Sequence, residues 1–149
     1  MESIFDKETF QSLKARIKML TPDSERIWGK MTVSQMLHHC QKAFEMPLGM
    51  VEAKSPGFFM KFLMKFFKSS MYNDKPWKKG LPTPKNFVVS DERNFETERD
   101  ALIVLMTDFH NKGVSYEWPK HPAFGNFTSE QWGKMEFKHL DHHFKQFGV

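Results

Sequence analysis

Thr128-Ser-Glu-Gln-Trp-Gly-Lys-Met-Glu-Phe-Lys-His-Leu-Asp-His-His-Phe-Lys-Gln-Phe147 is the stretch whose reading decides the fold. Thr128 and Gln131 form a T-x-x-Q capping box, which predicts a helix from Thr128 to about Phe147. Projected at about 100° per residue, Trp132, His139, His143 and Gln146 fall within about 60° of one another. Glu136 borders that arc, and His142 lies toward its edge beside Met135. His139 and His143 therefore occupy the middle of the face that should be buried. Imidazoles four residues apart on a helix can converge on one ion. A lone inward histidine is more often a core group bonded to a neighbour. Two in mid-stripe would each need a buried partner, and a shared metal ion satisfies both.

Three more segments show helical period. Phe10, Leu13, Ile17 and Leu20 recur along Asp6–Leu20, with Pro22 marking the exit. A second T-x-x-Q box, Thr32 with Gln35, opens a helix whose apolar face is Val33, Met36, Leu37, Cys40 and Phe44, stopped by Pro47 and Gly49. From Asn94 to Asn111, Leu102, Leu105, Met106 and Phe109 supply a stripe. Asn94 suits the cap, Glu96 and Glu98 suit the positive end of the dipole, and Gly113 suits the exit. Val114 to Asn126, with Pro119, Pro122 and Gly125, reads as a structured loop. These elements predict an all-α, single-domain four-helix bundle with a long crossover and a short extra helix between the second and third long helices.

Two histidines on one helix make a weak site, so a third ligand must come from elsewhere. His38 projects with the polar set Ser34, Lys42 and Glu45, whereas His39 projects beside Met36 and Ala43 at the border of the apolar face. His39 is thus the better inward ligand, with His38 as its alternative. His38 and His142 read as flanking groups that could orient or replace a ligand. Glu136 reads as an acceptor beside the ligands or, by preference, as a surface acid. His110 and His121 read as structural. Cys40 falls in the apolar face and reads as a small core residue. The tetrapeptide W-G-K-M occurs at Trp28–Met31 and Trp132–Met135, each followed at the same distance by His-His, but the first copy precedes a helix cap and the second lies inside a helix.

The chain has 149 residues, 40% hydrophobic and 27% charged, which suits one globular domain and not a disordered chain. The start, MESIFDKETF, has no apolar stretch, and no run approaches the ~20 apolar residues of a membrane span. The single cysteine precludes an internal disulfide and suits the cytoplasm. The net charge of +4 hides an asymmetry. Lys54 to Lys85 holds eight lysines and one acid, a local +7, so the remainder sums to −3. Within it Phe58–Lys68 (FFMKFLMKFFK) reads as a short helix, followed by an extended connector with Pro76, Gly80, Pro82 and Pro84. Its lysines form a narrow stripe, whereas a membrane-surface helix typically has a wider polar face. Burial in the bundle or in a homodimer interface is therefore the favoured reading. No nucleic-acid motif accompanies the lysines.

Trp28–Cys40 (WGKMTVSQMLHHC) and His121–Gly148, with its H-x-x-H-H-x-x-Q-F ending, resemble the DinB-like (YfiT-like) metalloenzymes, in an uncharacterised branch. The resemblance implies an up-down-down-up four-helix bundle holding a metal through one histidine of the second long helix and two of the last. On this chain those are His39, His139 and His143. Relatives in that superfamily include metal-dependent thiol S-transferases and a thiol-dependent isomerase that use bacillithiol or mycothiol. The expected function is accordingly a metal-dependent enzyme. Zinc or nickel on three histidines would activate a low-molecular-weight thiol, or water, toward a small electrophilic substrate, and no separate general base stands out. The alternative is a non-catalytic interaction module acting through the basic apolar segment 57–79, at a dimer interface or an anionic surface.

Overall fold

The computed structural model describes residues 2–52 and 55–149, so Lys54 of the basic run lies outside the described residues. Its helices are α1 (Lys7–Met19), α2 (Val33–Glu45), α3 (Phe58–Phe67), α4 (Phe95–Lys112) and α5 (Ser129–Gln146), with short 3-10 turns at Lys68–Met71 and Lys85–Phe87. No strand occurs among the described residues, beyond one isolated bridge between His121 and Gly125. The chain is all-α.

The helix starts follow from side chains that satisfy orphan backbone donors. In α2 the Gln35 N–H donates to Thr32 Oγ1 at 3.2 Å while the Thr32 N–H donates to Gln35 Oε1 at 2.9 Å. The same reciprocal pair joins Thr128 and Gln131 at the start of α5. Asn94 caps α4 by accepting from the Thr97 N–H at 2.9 Å, and Gly113, at φ +65°, ends it. Each such cap is worth about 1 kcal/mol.

Helix α2 packs against α4 and α5, and α1 packs against the same two helices. The buried stripes read from the sequence meet there: Leu13 and Ile17 of α1, Met36, Leu37 and Phe44 of α2, Leu102, Met106 and Phe109 of α4, and Trp132, Leu140 and Phe144 of α5 are fully buried. Cys40 is buried among them, as its helical position implied. His110 bonds the Ile4 carbonyl through Nδ1, and His121 Nδ1 accepts from the Ala123 and Phe124 amides, so both are structural.

The N-terminal segment lies against α5 at Gly133, whose carbonyl accepts from the Ile4 N–H at 3.1 Å. A Cβ at position 133 would stand 2.3 Å from Ser3 Oγ and 2.5 Å from the Phe5 ring. Gly133→Ala is therefore expected to destabilise. Overpacking costs about 1–3 kcal/mol and outweighs the roughly 1 kcal/mol alanine gains in helix propensity. A lower urea midpoint at unchanged slope is the expected reading; an equal or higher midpoint contradicts the close approach.

The crossover is where the sequence reading needs correction. Helix α3 forms where expected, but it is not buried in the bundle. None of its residues is buried, and Phe58 is 90% exposed. The turn that follows is the anchored part. Lys138, buried on α5, donates to the Ser70 and Asn73 carbonyls at 2.7 and 2.9 Å, and Trp77 Nε1 donates to the Ser70 carbonyl at 2.9 Å. These bonds bring the connector back over α5 and leave α3 outside. Among the described residues no helix is long and apolar enough to cross a membrane.

Candidate metal centre

His139 and His143 lie on α5 and His39 on α2, and all three are buried. One ligand-capable atom from each lies within 4.8 Å of the other two. The ring centroids form a near-equilateral triangle, 5.1 Å for His39–His139, 4.6 Å for His39–His143 and 4.9 Å for His139–His143.

Neighbouring groups set the orientation of two of these rings. His39 Nδ1 lies 2.9 Å from the Phe87 carbonyl, which can only accept, so Nδ1 carries the proton and Nε2 presents its lone pair to the cluster. Gln146 Nε2 donates to the Trp28 carbonyl at 2.7 Å, which fixes its amide orientation. Its Oε1 then accepts from His143 Nδ1 at 2.9 Å, freeing His143 Nε2 as a lone pair as well. This is the arrangement in which an outer acceptor orients a metal-binding imidazole. Gly29 makes room for it: a Cβ there would stand 2.2 Å from Gln146 Nε2.

His139 Nε2 faces His39 Nε2 at 3.2 Å, and its own Nδ1 is buried without a partner among the described residues. Two nitrogens bound tetrahedrally to zinc at about 2.0–2.1 Å stand about 3.3 Å apart, so this spacing fits a shared ion. Burial lowers the pKa of all three histidines; repulsion from neighbouring histidines adds to it at His139 and His143, and Lys42 adds to it at His39, while His143 is held at about 3. The imidazoles are therefore neutral at pH 7, the form that binds a metal. Three buried, neutral histidines could hold a metal ion here.

The remaining predicted residues fall outside this triad. His38 turns toward α4, with Nδ1 2.9 Å from Glu98 Oε2, a carboxylate that also accepts from Gln41 Nε2 at 2.7 Å. His142 is half-buried at the rim, its ring against Trp28, Trp77 and His143. Glu136 corrects the preference for a surface acid. It is fully buried on α5, about one turn before His139, and neither carboxyl oxygen has a partner among the described residues. Burial raises its pKa well above the ordinary carboxyl value.

Phe87, Trp28, Trp77, Gln146 and Lys138 also build the site. Gln146 had a sequence signal, since it shares the helical arc of the two histidines. Trp77, 5.9 Å from the His139 ring, and the Phe87 carbonyl had none, because they come from the proline-rich connector.

Fold and site together define an all-helical protein with a buried three-histidine cluster able to hold a metal. Over residues 6–148 the chain matches the family described as Protein of unknown function (DUF1569), and it belongs to that family. No curated protein and no solved structure matches it.

Proposed function

We propose that this protein is a metal-dependent enzyme in which His39, His139 and His143 hold one divalent ion, zinc or nickel by ligand type. The observation that carries the reading is the convergence of three neutral imidazoles, two of them with Nδ1–H bonded so that Nε2 presents its lone pair. Such a set leaves coordination positions open, as a catalytic rather than a closed structural site requires. An ion there would supply Lewis acidity, favouring a thiol as thiolate or a water as hydroxide. The chain's own part is to orient the rings through Phe87 and Gln146 and to cover His139 with Trp77.

We read α1, α2, α4 and α5 as a four-helix bundle in one domain. That reading and the ligand set agree with the resemblance to the DinB-like metalloenzymes, which in turn favours a low-molecular-weight thiol as co-substrate and a small electrophile as substrate. His38, engaged with Glu98, is assigned a structural role, and Glu136 that of a buried acid about one turn before His139 on α5.

Elemental analysis of the purified protein tests the site. About one ion per chain is expected in the wild type. His39→Ala, His139→Ala and His143→Ala should each lower metal affinity by well over the roughly 10–100-fold typical of losing an outer partner. Full occupancy in all three variants removes the reading. Reconstitution with cobalt(II) then separates the co-substrates: a sulfur-to-cobalt charge-transfer band on adding a thiol supports thiol chemistry, and its absence supports water.

A further inference from the structure

We propose that α3 is a docking element for a lipid bilayer bearing anionic headgroups, which its phenyl rings enter while the lysines of the same segment meet the phosphates. The inference is independent of the metal site.

Phe58, Phe59, Phe62, Leu63, Phe66 and Phe67 are all exposed on this ten-residue helix, four of them by more than 60%. Projected around the axis they cover about half of the circumference. Isolated exposed apolar side chains are ordinary, but a contiguous set of this kind marks a surface that is covered in use. The C-terminal end of the helix is tied to the protein at Lys68. Lys68 Nζ donates to the Asn126 carbonyl and lies over the Phe127 ring, 5.1 Å from its centroid. The outward arc is thus apolar, and Lys61 and Lys65 stand at its edge.

Mounting on the protein offsets the narrowness of the polar stripe. A free amphipathic helix at a membrane needs its own wide polar face. Here that side is supplied by the protein on which α3 is mounted, through Lys68 and the Lys138-anchored turn after it.

Charge selects the occupant. Helix α3 and its C-cap carry Lys61, Lys65 and Lys68 and no acid. Pairing α3 with α3 of a second copy would bring two such segments together, and like charges across an interface oppose association. An anionic surface instead attracts each lysine near it. A membrane also wraps the broad apolar arc, of which a flat protein partner would cover only part.

Co-sedimentation of the full chain with vesicles provides the test. Vesicles of phosphatidylserine and phosphatidylcholine should bind at least about tenfold better than phosphatidylcholine alone at low salt, and less as salt screens the lysines. The double variant Phe59→Ser/Phe66→Ser should lose most of this binding while keeping its far-UV circular dichroism, since neither ring is buried. Lys61→Glu/Lys65→Glu should lose the preference for anionic vesicles. His139→Ala should bind vesicles as the wild type does. No sedimentation with anionic vesicles at low salt overturns the proposal, and so does binding that survives loss of the two phenylalanines. A wild-type dimer in analytical ultracentrifugation that the Phe59→Ser/Phe66→Ser variant abolishes also overturns it, in favour of a second copy as the cover.

Discussion

Metal-free protein is expected to lose stability steeply between about pH 6 and pH 5. His39, His139 and His143 have folded pKa values lowered below the ordinary 6.5, chiefly by burial, and His143 is at about 3. Burial holds His121 at about 4. In the unfolded chain these imidazoles take up protons near pH 6.5, and in the folded chain they do not. Their contribution is fully present above about pH 6.5 and is lost as the pH falls toward the folded values. Each group contributes at most about 1.4 kcal/mol per pH unit. Glu136 acts in the opposite sense, because its raised pKa makes the folded state the better proton binder above the ordinary carboxyl value. His142, half-exposed, is lowered by burial too and adds a smaller amount in the same sense; the other four histidines against one carboxyl leave up to about 4 kcal/mol per pH unit, a large share of the roughly 5–15 kcal/mol that stabilises a typical domain.

Urea unfolding at about pH 7.5, 6.5 and 5.5 in the presence of a chelator measures this slope. A midpoint that stays constant over the range contradicts the neutral, buried triad. Adding metal at the highest of these pH values should raise the unfolding free energy, and the midpoint with it, by about 2.7 kcal/mol when the free ion is 100-fold above its dissociation constant.

Glu136→Leu is expected to stabilise the protein at neutral pH. A fully buried carboxyl with neither oxygen partnered costs about 1–3 kcal/mol relative to an apolar side chain. Leucine removes that cost at similar size. The gain should be largest above neutrality and shrink as the pH falls toward 4.5, where the carboxyl is protonated in the folded chain and increasingly so in the unfolded one. The variant should also be more acid-sensitive than the wild type, having lost a group that offsets the histidines. Paired denaturation curves at about pH 8 and pH 5 decide the matter: a Glu136→Leu variant less stable than wild type at the higher pH refutes the unpartnered carboxyl.

The two capping boxes show how much local rule-reading achieved. Both are satisfied between residues three apart, so both helix starts could be placed without knowing what the helices touch. The same holds for His139 and His143, whose shared face is a property of the roughly 3.6-residue turn alone. Choosing His39 over His38 was also possible, because one residue of helix is about 100° of rotation and moves a side chain from the α4 side to the α5 side. Glu136 marks the limit. Its position on the arc was visible, but at the edge of a stripe a carboxyl can reach solvent or not, depending on what packs over it. Helix α3 departs from expectation for the converse reason. Its apolar pattern is that of a buried helix, and only its anchoring through Lys138 and Lys68 leaves it outside.

What the sequence by itself determined, then, is the helices, their inward faces and the histidine pair, all governed by contacts within one or two turns. Tertiary structure alone decided the rest. His39 meets His139 across 100 residues and is oriented by a carbonyl 48 residues away, in a connector without helical or strand period. Backbone periodicity says which way a side chain points, but not which distant carbonyl or ring will be waiting there.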